Sequence, residues 1–548
     1  MIHQMLVRKF FFHCAFLAFM CGVFSLSAEV VLSLKGGKKI IGEAIIAEDD
    51  TTYTIRFYRE FVRKIPKEPV TDVKVIPFAG ERELAEIRKA YSGGSRKDVT
   101  KRLKMHDALL EKDLTLEAAA VLFELQHDFP ENKKIQQRVV QAYGPQERTF
   151  ADKAFLEQCV REYFSKKENR ADLLRTLCFN DFIPDKTVNS WAEYCFERAR
   201  KGKRVQAGDS VFVSEKPGFK GNIHIELWRK KGIKKTADEK WPVLIALHGG
   251  GRNKGHWKLG GPTFFNCFKN HFDRLILVAP TVLRKRYAEW AGNPLEEYYV
   301  HEAFRAVKRT WNVDTNRVFL AGVSMGAYGT WHIGGHRPDC FAGLVSNAGG
   351  ILIGTAHGHT WGWGIIGNLM HTPIAFIHGG KDKPAPPWSD AQAHLLLSNL
   401  GKRYPGKYKH KYISDPNWGH AVPGHSIAAA VKWIAPHIRD PLPRKILWEP
   451  KWKHNPRFYW LKLDRPRLFT RIEAEIKGNT VSIKTHKIFG GLSVFLNNRL
   501  VDLKKPVTVI VNGRKVYAGM VRPRLCAILE SVHANLDPEQ WFSARLDF

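Results

Sequence analysis

The stretch from Val318 to Trp331, VFLAGVSMGAYGTW, constrains the fold more than any other part of the chain. A strand-forming run meets Gly-x-Ser-x-Gly and passes without a break into residues of helical character. Gly322 and Gly326 flank Ser324 because a serine set on a sharp strand-to-helix turn leaves no room for side chains on either side. Such a turn requires a parallel strand feeding a covering helix. The surrounding sequence supplies that setting: between residues 206 and 440 the apolar runs VLIALHGG, LILVAP, RVFLAGVS, GLVSNAGG and PIAFIHGG alternate with amphipathic segments. That alternation predicts an α/β domain, a mostly parallel sheet with helices on both faces. The preceding VFVSEKPGFKGNIHIELWRK reads as a hairpin that begins the sheet at an antiparallel edge.

At 548 residues the chain exceeds what one core supports, so further modules are expected. Residues 1–28 combine Arg8 and Lys9 with an apolar run and small residues at Ser25, Ser27 and Ala28, the pattern of a secretory signal peptide. That pattern implies a secreted, periplasmic or cell-surface protein, with a membrane anchor as the alternative. Residues 29–78 alternate apolar and polar positions between turn signals, as in a small β-barrel-like module. Residues 79–205 change to helical spacing and read as a repeat-like helical spacer. Residues 441–548 begin with a Pro- and Trp-rich linker and continue as a separate C-terminal β domain, with NG in PVTVIVNG as a hairpin turn.

A serine hydroxyl is a poor nucleophile at neutral pH and needs an imidazole to take its proton and a carboxylate to orient that imidazole. In a strand-turn-helix setting the acid follows the nucleophile after a later strand, and the histidine comes last. Asp382, in the loop after PIAFIHGG, and His420, in YISDPNWGHAVP, satisfy that order. Asp390 reads instead as a helix cap, Asp415 as a turn residue and His425 as the start of the next helix. The oxyanion formed during acyl transfer calls for two backbone N–H donors. Met325 supplies one. The loop at His248 and Gly249 to Gly251 supplies the other, with Gly250 the first choice and Gly249 the second. His332 and His336 stand at i and i+4, but no third ligand accompanies them, so a structural role is expected rather than a metal site.

Together LHGGG, WNVDTNRVFLAGVSMGAYGTW, FIHGGKD and NWGHAVP resemble the polyhydroxybutyrate depolymerase and feruloyl esterase-like branch of the α/β-hydrolases, and the related secreted peptidases, over residues 220 to 440. The resemblance implies the α/β-hydrolase fold, with Ser324 as nucleophile, Asp382 as acid and His420 as base. It departs from that branch at Ala327 and at Ala385-Pro386, positions that shape the pocket. It implies a carboxylic ester hydrolase that needs no metal or organic cofactor, with an ester-bearing small molecule, polysaccharide or polyester as substrate. A serine peptidase and a glycan-binding protein built on a hydrolase scaffold are the alternatives. Trp290, Trp361 and Trp363 are the aromatic residues expected to contact substrate, with Trp257 and Trp331 nearby, and residues 354–367 are expected to form a lid or pocket wall.

Composition narrows the rest. After the first segment Cys159, Cys178, Cys195, Cys267, Cys340 and Cys526 remain, scattered without a CxxC pair, which excludes a disulfide framework or zinc module. A net charge of +32 favours acidic polymers as partners, but the basic residues are spread evenly and no nucleic-acid motif accompanies them.

Overall fold

The structure, a computed structural model, describes residues 28–35, 39–42, 44–58, 61–77, 80–91, 98–143, 150–165, 170–177, 180–213, 220–250, 256–282, 290, 294–351, 363–450, 456–464, 466, 470–485 and 491–548. The expected signal segment, apart from Ala28, lies outside them. So do Gly251, Cys178, Trp361 and residues 354–362 of the expected lid. Among the described residues no helix is long and apolar enough to cross a membrane.

The chain divides into two compact units, Met1–Ser92 and Gly93–Phe548. In the first, strands between Ala28 and Pro77 form two three-stranded antiparallel sheets, followed by the helix Glu81–Tyr91. Alternation along these short strands brings Leu32 and Ile65 into a small shared core with Ile45, Tyr53, Val70 and Val73.

The second unit is built on an eight-stranded sheet. Its strands are β1 (Gly208–Val213), β2 (Lys220–Arg229), β3 (Trp241–Leu247), β4 (Arg274–Pro280), β5 (Val313–Val323), β6 (Gly343–Asn347), β7 (Ile374–Gly379) and β8 (His410–Asp415). Their spatial order is β1-β2-β4-β3-β5-β6-β7-β8. β1 and β2 form the antiparallel edge that the hairpin pattern predicts, and β3 to β8 run parallel. The helices that position the site are α1 (Gly261–Lys269), α2 (Pro294–Thr310), α3 (Met325–His336), α4 (Trp388–Arg403) and α5 (Gly424–Ile434).

Continuous apolar runs become strands here because both faces of the sheet are covered. On one face Phe264, Phe265 and Phe268 of α1 and Ile427, Val431 and Ile434 of α5 pack on Leu244, Phe319, Val345 and Ile377 of the strands. Each of those phenylalanines is almost fully buried, contributing about 2 to 3 kcal/mol of transfer free energy. On the other face α3 lies so close to β3 that a Cβ on Gly326 would stand 2.1 Å from the Leu247 carbonyl oxygen. Glycine there sets how deep the helix seats.

Residues 79–205 differ from the expected spacer. Leu116, Ala119 and Ala120 of the helix Thr115–Asp128 are buried in one core with the strands of residues 445–548. Arg514 bridges Glu117 and Glu124 across that junction, at 2.6 and 3.0 Å. Helices Lys153–Ser165 and Val188–Arg200 share a second core with Leu525–Asn535. The segment after the helix Leu525–Asn535 is likewise tied to the eight-stranded sheet. Asp537 accepts Arg439 at 2.6 Å and the Thr315 hydroxyl at 2.8 Å, with all three side chains buried. The alternation of helix and strand signals marks the segments correctly but carries no information about which surface covers each apolar stripe. Here distant segments cover one another, and the part of the spacer from Gly93 onward, the sheet and the C-terminal strands form one unit.

Candidate active site

The site sits at the C-terminal ends of β5, β7 and β8, where parallel strands hand over to loops. Ser324 occupies the turn between β5 and α3 with φ 55° and ψ −116°, a strained conformation for a residue with a Cβ. The surroundings enforce it. A Cβ on Gly322 would meet the Gly326 carbonyl oxygen at 2.1 Å, so neither glycine admits a side chain. The Ser324 N–H donates to the Asn347 carbonyl at 2.8 Å, fastening the turn to β6.

The other two expected residues converge on this hydroxyl. His420 Nε2 lies 3.0 Å from Ser324 Oγ, and His420 Nδ1 lies 2.8 Å from Asp382 Oδ2. Asp382 is fully buried, while the His420 side chain keeps about a third of its surface open to the cleft. The remaining carboxylate oxygen, Oδ1, accepts the Ala385 N–H at 2.9 Å. Three segments separated in sequence therefore deliver a serine, an imidazole and a carboxylate in one line. In that line Nδ1–H donates to the carboxylate, which leaves Nε2 free to accept the serine proton.

The loop expected to supply an oxyanion donor is built from β3 outward. His248 is buried, and its Nδ1–H donates to the Gly249 carbonyl at 2.7 Å while Nε2 accepts the Val282 N–H at 3.2 Å. Those partners fix the ring's tautomer and hold the loop against the end of β4. Gly249 differs from the expectation for a second-choice donor: its N–H is engaged within the loop, on the Leu259 carbonyl at 3.3 Å. Gly250, with φ 132°, faces the cleft beside Ser324, and Met325 opens α3, so its N–H belongs to the first turn that has no intrahelical acceptor.

The cleft holds about 530 Å³, and Leu259, Phe264, Val323 and Ile427 give it apolar walls beside Thr263 and Asn347. Leu259, one of the lining residues, is half exposed.

The tryptophans depart from expectation. Trp290 is 1% exposed and is not among the residues that line the cleft; its indole N–H donates to the His248 carbonyl at 3.0 Å, and its ring packs edge-on to the His248 ring. It props the loop after β3, and a lone tryptophan in a loop looks the same in sequence whether it points in or out. Trp331 is fully buried on α3, and Trp257 stacks on His224 at 3.6 Å. Trp361 lies outside the described residues, and Trp363 opens the helix Trp363–Asn368.

Asp390 also departs from its expected role as a cap. Pro387 occupies the N-cap position of α4, while the buried Asp390 carboxylate accepts His378 at 2.7 Å. Sequence reading passed over His378 itself, the histidine of HGGKD. Asp415 is a turn residue, accepting the Asn417 N–H at 2.7 Å. His425 lies in the first turn of α5. His332 pairs with the Ile351 carbonyl and His336 with Glu297. No group of three metal-ligating side chains occurs among the described residues.

No protein-family model matches the chain, and a search of curated proteins returns no match. Among solved structures it is similar to a thermostable esterase, at 20% identity and TM-score 0.32, covering 42% of this chain and 63% of that one. It is similar to the BES protein from Bacillus cereus at 15% identity and TM-score 0.32, covering 43% and 98%. It is also similar to a CE1 ferulic acid esterase from the anaerobic fungus Anaeromyces mucronatus, at 18% identity and TM-score 0.32, covering 43% and 92%. The chain thus spans less than two thirds of the thermostable esterase's length.

Proposed function

We propose that this chain is a secreted serine hydrolase that cleaves carboxylic esters through an acyl-enzyme on Ser324. The observation that carries the reading is the line Ser324–His420–Asp382, at 3.0 and 2.8 Å, on a strained elbow. In the first half-reaction His420 takes the hydroxyl proton as Ser324 attacks the ester carbonyl, and it gives that proton to the departing alcohol. Water then repeats the sequence and releases the acid. Asp382 holds the tautomer and balances the imidazolium as it forms. Met325 and Gly250 N–H groups are proposed to receive the oxyanion, each worth about 10²- to 10³-fold in rate.

The apolar walls favour an ester with a flat or aliphatic acyl group, such as an aryl ester on polysaccharide or a polyester unit. The basic character of the chain favours acidic polymers near the substrate, and the N-terminal pattern supports secretion. Purified protein assayed in parallel on aryl esters, feruloylated sugars and short peptides tests the reading. Ester turnover that outpaces peptide cleavage is expected; rapid peptide cleavage without ester turnover refutes it in favour of a peptidase.

A further inference from the structure

His378 ends a strand in which every position is buried, and its own side chain is inaccessible to solvent. Both ring nitrogens face oxygen atoms. Nδ1 lies 2.7 Å from Asp390 Oδ2, while Nε2 lies 2.5 Å from the Ala385 carbonyl oxygen and 3.2 Å from Asp382 Oδ2. A peptide carbonyl has no proton to give, and an ionised carboxylate has none either. A neutral imidazole would set a bare nitrogen against one of these oxygens. We propose that His378 is a positioning residue for the reaction, held as an imidazolium between Asp390 and Asp382 so that Asp382 is fixed and partly neutralised behind His420. The proposal rests on the serine hydrolase reading of Ser324, His420 and Asp382.

The geometry gives this ring two effects. Asp382 Oδ2 is shared between His420 at 2.8 Å and His378 at 3.2 Å, and Oδ1 is taken by the Ala385 N–H at 2.9 Å. With contacts from three directions the carboxylate cannot rotate away from His420 without breaking one. The second effect is charge. The titratable groups around His378 and its two carboxylates are Asp382, Asp390 on α4, Tyr328 on α3 and Tyr412 on β8 near the carboxylates, and, beyond Asp382, His420. Burial and the carboxylates push the Tyr328 phenol up to about 12, and Tyr412 also moves upward, so both stay neutral. Two carboxylates thus share one resting cation, for a net charge of −1. Without that cation the pair would hold a protonated His420 more strongly.

Electrostatics agrees with the contacts. Burial opposes a charge on His378, but the hydrogen bond and charge of Asp390, with smaller help from Ala385 and Asp382, outweigh it and raise the proton affinity of the ring. Burial pushes Asp390 up, while the hydrogen bond and charge of His378 pull the other way and favour the ionised carboxylate.

Two measurements test this. Ring ¹⁵N NMR of the Ser324→Ala chain, with His378 assigned by the signals that vanish in a Ser324→Ala, His378→Gln chain, should show both nitrogens protonated at pH 8, where an exposed histidine is neutral. A neutral ring at that pH overturns the proposal, and this holds even where the active variants fail to fold. In the active chain, His378→Gln should move the acidic limb of the kcat/KM profile upward by about one pH unit, because it removes the cation and leaves both carboxylates. Loss of kcat at all pH values with an unmoved limb would mark a purely structural role and overturn it. Failure of Ser324 to react with a fluorophosphonate in the parent chain would overturn the serine hydrolase reading instead, leaving the NMR result to stand as a fact about the buried cluster.

Discussion

Replacing Trp290 with phenylalanine separates two roles that a tryptophan beside an active site can have. The indole N–H donates to the His248 carbonyl at 3.0 Å, and both residues are buried. Taking the donor from a buried carbonyl costs about 1 to 3 kcal/mol. The smaller ring leaves a gap where the buried indole now seats, and this adds about 1 kcal/mol. Trp290→Phe should therefore lose about 2 to 4 kcal/mol in urea unfolding followed by circular dichroism. The same change loosens the backbone of His248 and Gly249 and so misplaces Gly250. A displaced donor should lower kcat by about tenfold, equivalent to about 1.4 kcal/mol of transition-state stabilisation, with KM little changed and the same factor for acetyl and aryl esters. An unchanged unfolding midpoint with a KM that rises only for aryl esters would refute this reasoning and return Trp290 to the substrate.

Other substitutions probe the elbow, the acid and the distant core. Gly326→Ala should prevent α3 from seating on β3, since its Cβ would meet the Leu247 carbonyl oxygen at 2.1 Å; soluble, folded protein by gel filtration and circular dichroism would contradict the packing account. Asp382→Asn should keep the fold but lower kcat by about 10⁴-fold, because an amide at this position no longer selects the tautomer of His420; loss of less than tenfold would point to another acid. Glu530 accepts Arg457 at 2.6 Å, Lys462 at 3.0 Å and Arg545 at 2.6 Å. Burial alone would raise its proton affinity, but these three cations outweigh it and hold the carboxyl below its ordinary range. A depressed carboxyl contributes stability above its unfolded value of 4.5, lost as pH falls further. Glu530→Gln should lower stability by about 3 kcal/mol at pH 7 and flatten the acid side of a plot of Tm against pH; parallel curves for the two proteins would refute the assignment.

What sequence conveyed depended on whether the signal was local. The elbow was legible because Gly322, Ser324 and Gly326 must be adjacent in the chain to make the turn, and chain order then picked out Asp382 and His420. The parallel sheet was legible because burial on two faces leaves uninterrupted apolar runs. The buried pair His378 and Asp390 was not, since a helix-start aspartate has the composition of a cap and only the approach of α4 to β7 turns it inward. Trp290 failed in the same way: its indole finds a partner in a carbonyl reached only after folding. The helices between residues 98 and 205 carried correct periodicity, yet Thr115–Asp128 is covered by strands of residues 445–548 and Lys153–Ser165 and Val188–Arg200 by the helix Leu525–Asn535, pairings no local pattern encodes.

The central claim is that Ser324 is a nucleophile activated by His420. Incubating the purified chain with a fluorophosphonate probe and mapping the modified peptide by mass spectrometry tests it most directly. The account predicts a single adduct on Ser324 that is lost in Ser324→Ala and strongly slowed in His420→Ala, each with the fold intact. An adduct on another residue, or ester turnover that survives Ser324→Ala, would contradict it.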